Sequence, residues 1–389
     1  AISIDAGRIT ASGGTVVNMK GAIVFPAFTD MHTHLDKGHI WPRSPNPDGT
    51  FPGALNAVRA DTTAHWSAED VAARMNFALK SAYAHGTKAI RTHLDSSPPQ
   101  NDISWPLFRE IRAEWADKIA LQAVCLVGCE GVEADGPFAH TADLVADTGG
   151  VLGMVSYPVP RLKEHLVTFL KMAQDRGLAV DLHVDETIDP GVETLRMIAE
   201  TVQETGFAAR VIAGHCCSLS TQDEARALDT LDLVAKAGIH IVSLPMCNLY
   251  LQDRHAGRTP RGRGITLVHE MKARGIPVSF ASDNTRDPFY AYGDLDMLEV
   301  MRDATRIGHL DHSDADWSKS FLATPAETCG FDAPSLAPGA PADLVIFNAR
   351  SWTELFARPQ SDRVVLRNGA AIDRTLPNYS ELDHLMDKS

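Results

Sequence analysis

The stretch from Phe25 to Lys37 reads FPAFTDMHTHLDK, an apolar run that closes on two histidines spaced one residue apart. In an extended strand successive side chains alternate faces, so His32 and His34 point the same way. Working outward, apolar and β-branched runs end near His34, Asp95, Gly128, Pro158, Glu186, Cys216, Cys247 and Asn284. After one long first gap, these ends recur every 28 to 37 residues. Helical patterns lie between them, several closed by a glycine: Gly86, Gly177, Gly206, Gly238 and Gly275. Glycine suits a helix C-terminus because it takes the left-handed conformation without a Cβ clash. Ser67 with Asp70 marks one helix start, and Asp189-Pro190 is expected to be the N-cap and first residue of another. Eight strands alternating with helices at this spacing predict a (β/α)8 TIM barrel. Periodicity alone also allows a doubly wound sheet, but no Gly-rich phosphate loop sits at any strand-to-helix turn.

The ends fall outside this rhythm. Residues 1–25, opening on AISIDAGRIT, and the stretches APADLVIFNAR and DRVVLRNGAAI read as short strands with Gly and Asn turns. They are expected to pair into a small β-sandwich, giving one domain from 1–25 and 338–389 and a barrel from 26–337. Segment 37–65, rich in Pro, Asn and Gly, is expected to act as a lid, since so long a loop is seldom idle. The sequence starts at Ala1 rather than Met, which suggests that a short N-terminal piece is missing.

Composition narrows the class of molecule. Of 389 residues, 44% are apolar and 22% charged, which excludes a disordered chain. No apolar run approaches the ~18–20 residues that span a bilayer, and no basic-then-apolar export signal opens the chain. Thirty-six basic against fifty acidic residues leave a net charge of −14, which argues against nucleic acid or anionic membrane as partner. Six cysteines lack paired zinc spacing and are expected to be reduced thiols in a cytoplasmic protein. A homo-oligomer is compatible with all of this.

Chemistry in such a barrel gathers at the C-terminal ends of the strands. There the sequence places His32 and His34 on the first strand, His183 in DLHVDE on the fifth, His215 in IAGHCC on the sixth and Asp283 in FASDN on the eighth. Neutral imidazole and carboxylate are the ligands that zinc or iron(II) takes. A lone histidine would be an ordinary core residue; convergence from separate strands points to a metal. Glu186, three residues past His183, is a candidate proton shuttle. His93 and Asp95 in IRTHLD end the second strand, where a supporting role and a direct one weigh equally.

This ordered set resembles the amidohydrolase superfamily, and within it the cytosine deaminase branch. The matching stretches are HTHLDK, IRTHLD, DLHVDE, NLYLQDR with PRGRGITLVHEM, and SDNTRDPFYAYG. The resemblance implies that His32, His34, His183 and Asp283 bind one divalent metal ion. It implies that His215 bonds the hydroxide on that metal, that Glu186 carries protons to the substrate ring, and that Asp283 takes the hydroxide proton. Dinuclear members carry a bridging lysine on the fourth strand; GVLGMVSYP has none, so one metal is expected. The implied activity is hydrolytic release of ammonia from a small aminated nitrogen heterocycle, a cyclic amidine.

Departures from the cytosine pattern bear on the substrate. Gly128 and Cys129 stand where the branch has a pyrimidine-binding glutamine, Asn284 where it has a second aspartate, and Phe289 where it has a tryptophan. Cys129, Asn284 and Phe289 are therefore the expected substrate-binding residues, and cytosine is expected to be a poor substrate. Isocytosine, pterin, purine, creatinine-like and triazine rings are better candidates. Arg254, Arg258, Arg261 and Arg263 could draw in an anionic group or line a solvated or subunit-facing loop. The alternatives are hydrolysis of a cyclic amide or N-alkylamine substituent, or a metal-dependent binder without catalysis. The latter would not need Glu186.

Overall fold

The computed structural model describes residues 2–13, 17–358 and 362–386. Two short strands, β1 (Ser3–Asp5) and β2 (Arg8–Thr10), form a hairpin, and β3 (Ile23–Pro26) leads into β4 (Phe28–Thr33). Seven further parallel strands follow, alternating with helices: β5 (Thr87–Asp95), β6 (Ala120–Leu126), β7 (Leu152–Ser156) and β8 (Val180–Val184), then β9 (Val211–His215), β10 (His240–Ser243) and β11 (Val278–Phe280). β4, β5 and β6 pair in one run and β7 to β11 in another. Parallel bridges join both seams, Val124 with Val151 and Gly128 with Val155 on one side, Thr33 with Asp283 on the other. The eight strands therefore close into the TIM barrel that the rhythm predicts.

Glycine timing sets the helix ends. Gly86 adopts φ +104° as the C-cap of helix Ala68–His85, and a Cβ there would lie 2.6 Å from Val345 Cγ2. Only glycine lets that helix end approach the neighbouring sheet so closely. The other end of this helix follows the sequence reading, with the Ser67 side chain accepting from Asp70 N. Asp189-Pro190 does not. The next helix spans Thr194–Thr205 with Glu193 at its N-cap, while Asp189 Oδ1 accepts from Gly191 N in a local turn. Asp185 takes the role instead, its carboxylate accepting the Thr194 and Leu195 amides and fixing the helix under the site.

Both chain ends meet in one antiparallel sheet, ordered β14 (Ala370–Ala371), β13 (Arg363–Arg367), β12 (Leu344–Phe347), β3. The β1–β2 hairpin packs across it through Ile9, Ala342 and Leu344. Phe25 and Phe347, edge to face at 5.5 Å, carry this sheet into the main core. The outermost residues of the expected sandwich domain, Ala1 and 387–389, lie outside the described residues. The segment 379–386 packs on the barrel, with Tyr379 stacked on Phe77 of helix Ala68–His85. Segment 37–65 is only half loop, because residues Phe51–His65 form a helix capped by Thr50. Its loop half reaches strand β11's exit, where Asn46 Nδ2 donates to Pro288 O at 3.0 Å.

Candidate metal centre

His32, on β4, has its Nε2 3.2 Å from His183 Nε2 on β8. His183 Nε2 is in turn 3.3 Å from His34 Nε2. Asp283 Oδ1 lies 3.2 Å from His34 Nε2 and 3.6 Å from His32 Nε2. Ligands at ~2.0–2.1 Å around a tetrahedral zinc stand about 3.3 Å apart, close to these four separations. None of the four residues is more than 5% exposed, and among the described residues neither Asp283 oxygen has a hydrogen-bond partner. Burial holds His32, His34 and His183 well below the usual imidazole range, which keeps them in the neutral form a cation needs. Burial likewise pushes Asp283 up to about 8. A divalent cation among these donors would reverse that shift, since its charge dominates the local balance.

Two more histidines stand at this rim. Donor atoms of His32, His93 and His183, and of His32, His215 and Asp283, fall within 4.8 Å of one another. His93 and His215 therefore stand with His32, His183 and Asp283 as further donors within reach of one ion. His93 is fully buried, its ring 4.0 Å from that of His32, and among the described residues neither nitrogen has a hydrogen-bond partner. Asp95, paired with it in the sequence reading, points elsewhere and binds Lys37 Nζ at 3.0 Å.

His215 receives the Asn248 side-chain amide on Nδ1 at 2.9 Å, which leaves Nε2 buried and free. Glu186 Oε1 lies 3.6 Å from the same Nδ1. Burial, and then the Asp283 carboxylate, raise the Glu186 carboxyl well above its ordinary range. Such a carboxyl can hold a proton near neutral pH. His215 and Asp283 also sit at φ +70° and +64°, left-handed backbone that costs non-glycine residues of order 1–3 kcal/mol. Thr33 pairing with Asp283, and Cys216 N donating to Val184 O, hold those two turns in place.

The expected substrate-binding residues are placed unequally. Cys129 is wholly buried with its thiol towards Tyr157 O, and burial raises that thiol. Beside it, a Cβ on Gly128 would collide with Glu130 and the Tyr157 hydroxyl, which bond each other. Asn284 donates to Asp287 Oδ2 at 2.7 Å and accepts from Cys247 Sγ, so most of its amide is already engaged. Phe289 lies under Lys37, whose Nζ is 5.5 Å from the ring centre. Lys37, Asn248 and Asp287 went unread in the sequence. Each lay inside a stretch that carried the resemblance, and the missing signal was a strand phase, since all three sit beyond the strand ends.

Against known proteins, a model of the amidohydrolase family matches residues 130–372. The pterin deaminase of Rhizobium rhizogenes is 57% identical over 367 residues, 94% of this chain and 84% of that protein. N-isopropylammelide isopropyl amidohydrolase of a Pseudomonas species is 24% identical over 92% of this chain and 89% of its own. The solved 5-methylcytosine deaminase from Klebsiella pneumoniae, liganded with 5-fluorocytosine, superposes with a TM-score of 0.83 at 26% identity, covering 97% of this chain and 94% of that one.

Proposed function

The chain belongs to the amidohydrolase family, and on that premise we propose that it is a metal-dependent hydrolytic deaminase of a pterin. Water replaces the exocyclic amine on the ring carbon between two ring nitrogens, and ammonia leaves. One observation carries this reading: four buried donors that meet one another at 3.2–3.6 Å, beside a buried carboxyl that can hold a proton. His32, His34, His183 and Asp283 would hold one divalent ion, zinc or iron(II); β7 offers no lysine for a second. When bound, the ion lowers the pKa of water from 15.7 towards ~7 and so supplies a nucleophile at neutral pH.

The chain's own residues do the rest. Glu186 gives its proton to the ring nitrogen beside the attacked carbon, which lets the ring accept an electron pair. His215, whose Nδ1 accepts from Asn248, carries its proton on Nε2 and donates it to the attacked carbon's oxygen. Asp283 receives a proton and, with Glu186, delivers it to the departing amine. Each such transfer is worth about 10²–10⁴-fold in rate. Phe289, Cys129 and Asn284 bound the ring by shape, because Asn284 is largely committed to Asp287 and Cys247. Lys37, anchored by Asp95 and next to Phe289, is the cation that can meet a ring carbonyl.

The same proposal assigns the chemistry to the barrel, 26–337, and none to the module from 1–25 and 338–389. It takes the enzyme to be cytoplasmic. Among the described residues no helix is long and apolar enough to cross a membrane. The N-alkylamine alternative is the reaction that the Pseudomonas relative's name describes, at far lower identity. The deciding experiment is ammonia release from pterin, isocytosine, cytosine, purines, creatinine and aminotriazines. Pterin should give the highest kcat/KM; cytosine in that place, or no ammonia from any ring, would refute the reading.

A further inference from the structure

Glu186 stands two residues past the end of β8, so no ladder of strand hydrogen bonds fixes where its carboxyl points. Its direction depends on the two peptide planes that flank its Cα, because only two soft dihedrals lie between them. The plane before it is held at the Asp185 oxygen, which accepts from Cys217 N at 2.9 Å and from Ser218 N at 3.3 Å. Asp185 itself sits at φ +50°, a left-handed conformation that a non-glycine residue keeps only where its surroundings hold it. The plane after it is held at the Glu186 oxygen. There the donor is a side chain, Gln252 Nε2, at 3.1 Å.

Gln252 is the C-cap of the helix Pro245–Leu251, its own N–H donating to Asn248 O at 2.9 Å. Asn248, four residues earlier, gives its side-chain amide to His215 Nδ1 at 2.9 Å. Both amide side chains are buried. One short helix thus holds the two groups whose nearest atoms, Glu186 Oε1 and His215 Nδ1, stand 3.6 Å apart.

The arginine-rich loop that follows closes on the stem of Gln252. Gly264 takes φ +66°, and a Cβ there would fall 2.6 Å from Gln252 Cγ and 3.4 Å from Cys217 Cβ. The same glycine therefore lies against both residues that hold the planes around Glu186. Gly262 lies against Ile188, two residues past Glu186, with 3.4 Å from its would-be Cβ to Ile188 Cδ1. Asp253 folds the loop into this position by accepting the backbone amides of Arg261 and Gly262 and by pairing with Arg258.

We propose that Gln252 is a positioning residue for the deamination: it holds the peptide after Glu186 and so keeps that carboxyl aimed at the substrate ring. Gly264 keeps Gln252 in its place. The proposal rests on the deaminase reading and on Glu186 as its proton carrier. Gln252 acts on Glu186 through the backbone, so its loss should slow proton transfer and leave ring and metal binding intact. A reacting group misplaced by about 1 Å can cost 10²-fold in rate.

The test uses the ring from the panel above that wild type turns over fastest. Gln252→Met keeps the length of the side chain and removes its donor. Its kcat should fall ~10-fold, the scale of one hydrogen bond, with KM and metal content unchanged. In the Glu186→Gln background the same change should cost less than ~2-fold, because a residue that acts through another is not additive with it. A merely structural role would cost the same factor in both backgrounds. Gly264→Ala leaves the amide in place and crowds its stem; it should repeat the pattern, and it decides the matter if Gln252→Met does not fold. An unchanged kcat, an equal loss in both backgrounds, or metal lost in parallel with activity would overturn the proposal. If wild type releases ammonia from no ring, the deaminase reading falls and takes this proposal with it, a result distinct from an active wild type matched by its Gln252→Met variant.

Discussion

Two polar layers stacked inside the same barrel differ by two residues along each strand, and they behave oppositely. The lower layer holds Asp30, Arg91 and Asp181; the upper holds His32, His93 and His183 on the same faces of β4, β5 and β8. Below, each side chain has a partner from the chain. Arg91 Nη1 meets Asp181 Oδ2 at 2.9 Å and its Nε meets Gln122, while Asp30 accepts from Ser282 N at 3.1 Å. Above, the Nε2 atoms of His32, His34 and His183 and Asp283 Oδ1 meet only one another, at 3.2–3.6 Å, and among the described residues neither nitrogen of His93 has a hydrogen-bond partner. Burial is equal, so burial does not mark the site. What marks it is a set of polar atoms that converge on one another and that no group outside the set satisfies, against the rule that buried polar groups are paired.

The comparison is broken most severely by His183→Asn. Losing one of four ligands should abolish metal binding and lower ammonia release by at least ~10³-fold together, read by elemental analysis and assay. Full metal content with normal turnover would remove the upper layer's function. Glu186→Gln should separate binding from chemistry, keeping the metal while turnover falls ~10²–10⁴-fold. Near-normal turnover would mean that another group carries the proton.

In the lower layer the expected effect is on stability. Asp181→Asn leaves Arg91 buried without its counter-charge and should cost about 3–5 kcal/mol, seen as a lower urea midpoint. The folded fraction should still bind metal; a variant that folds normally but loses metal would merge the two layers.

The smallest effect comes from His39, which sharpens the rule. Both its nitrogens are buried and unpartnered, yet it packs edge to face on Phe77 at 4.7 Å and converges with no other donor. His39→Phe should therefore leave metal content and turnover unchanged. Burial holds the His39 imidazole down at about 3 against 6.5 ordinarily, so the folded state refuses a proton that the unfolded chain accepts. Its stability contribution is complete above pH ~6.5 and is lost as pH falls from there towards ~3. The variant should bind about one proton fewer on acid unfolding, seen as a shallower fall of the urea midpoint over that window. An unchanged slope would mean that His39 is already charged when folded.

Much of the site was legible because its signals are local. His32 and His34 share a face by the two-residue period, and the eight strand ends recur at one spacing, so the candidate donors could be read without seeing the barrel close, while the choice of four as ligands is what the family resemblance implies. Helix ends at Gly86, Gly206 and Gly238 were legible for the same reason, a left-handed residue written into the chain. The turn at Asp189-Pro190 misled because a capping sequence also makes a simple Asx turn, and Asp185, four residues earlier, reached the helix first. Segment 37–65 read as loop because its prolines and glycines cluster ahead of a helix that Thr50 then caps.

The sequence by itself therefore determined the strand rhythm, the phase of the histidines and the identity of the donors. Tertiary structure alone decided which donors find no partner outside their own set, that Asn284 is engaged by Asp287 and Cys247, and that Lys37 is steered by Asp95. The reason is range. Strand phase and helix capping are fixed by residues two to four apart, whereas satisfaction of a buried polar atom depends on partners such as the Ser282 amide for Asp30, which only barrel closure brings within 3.1 Å.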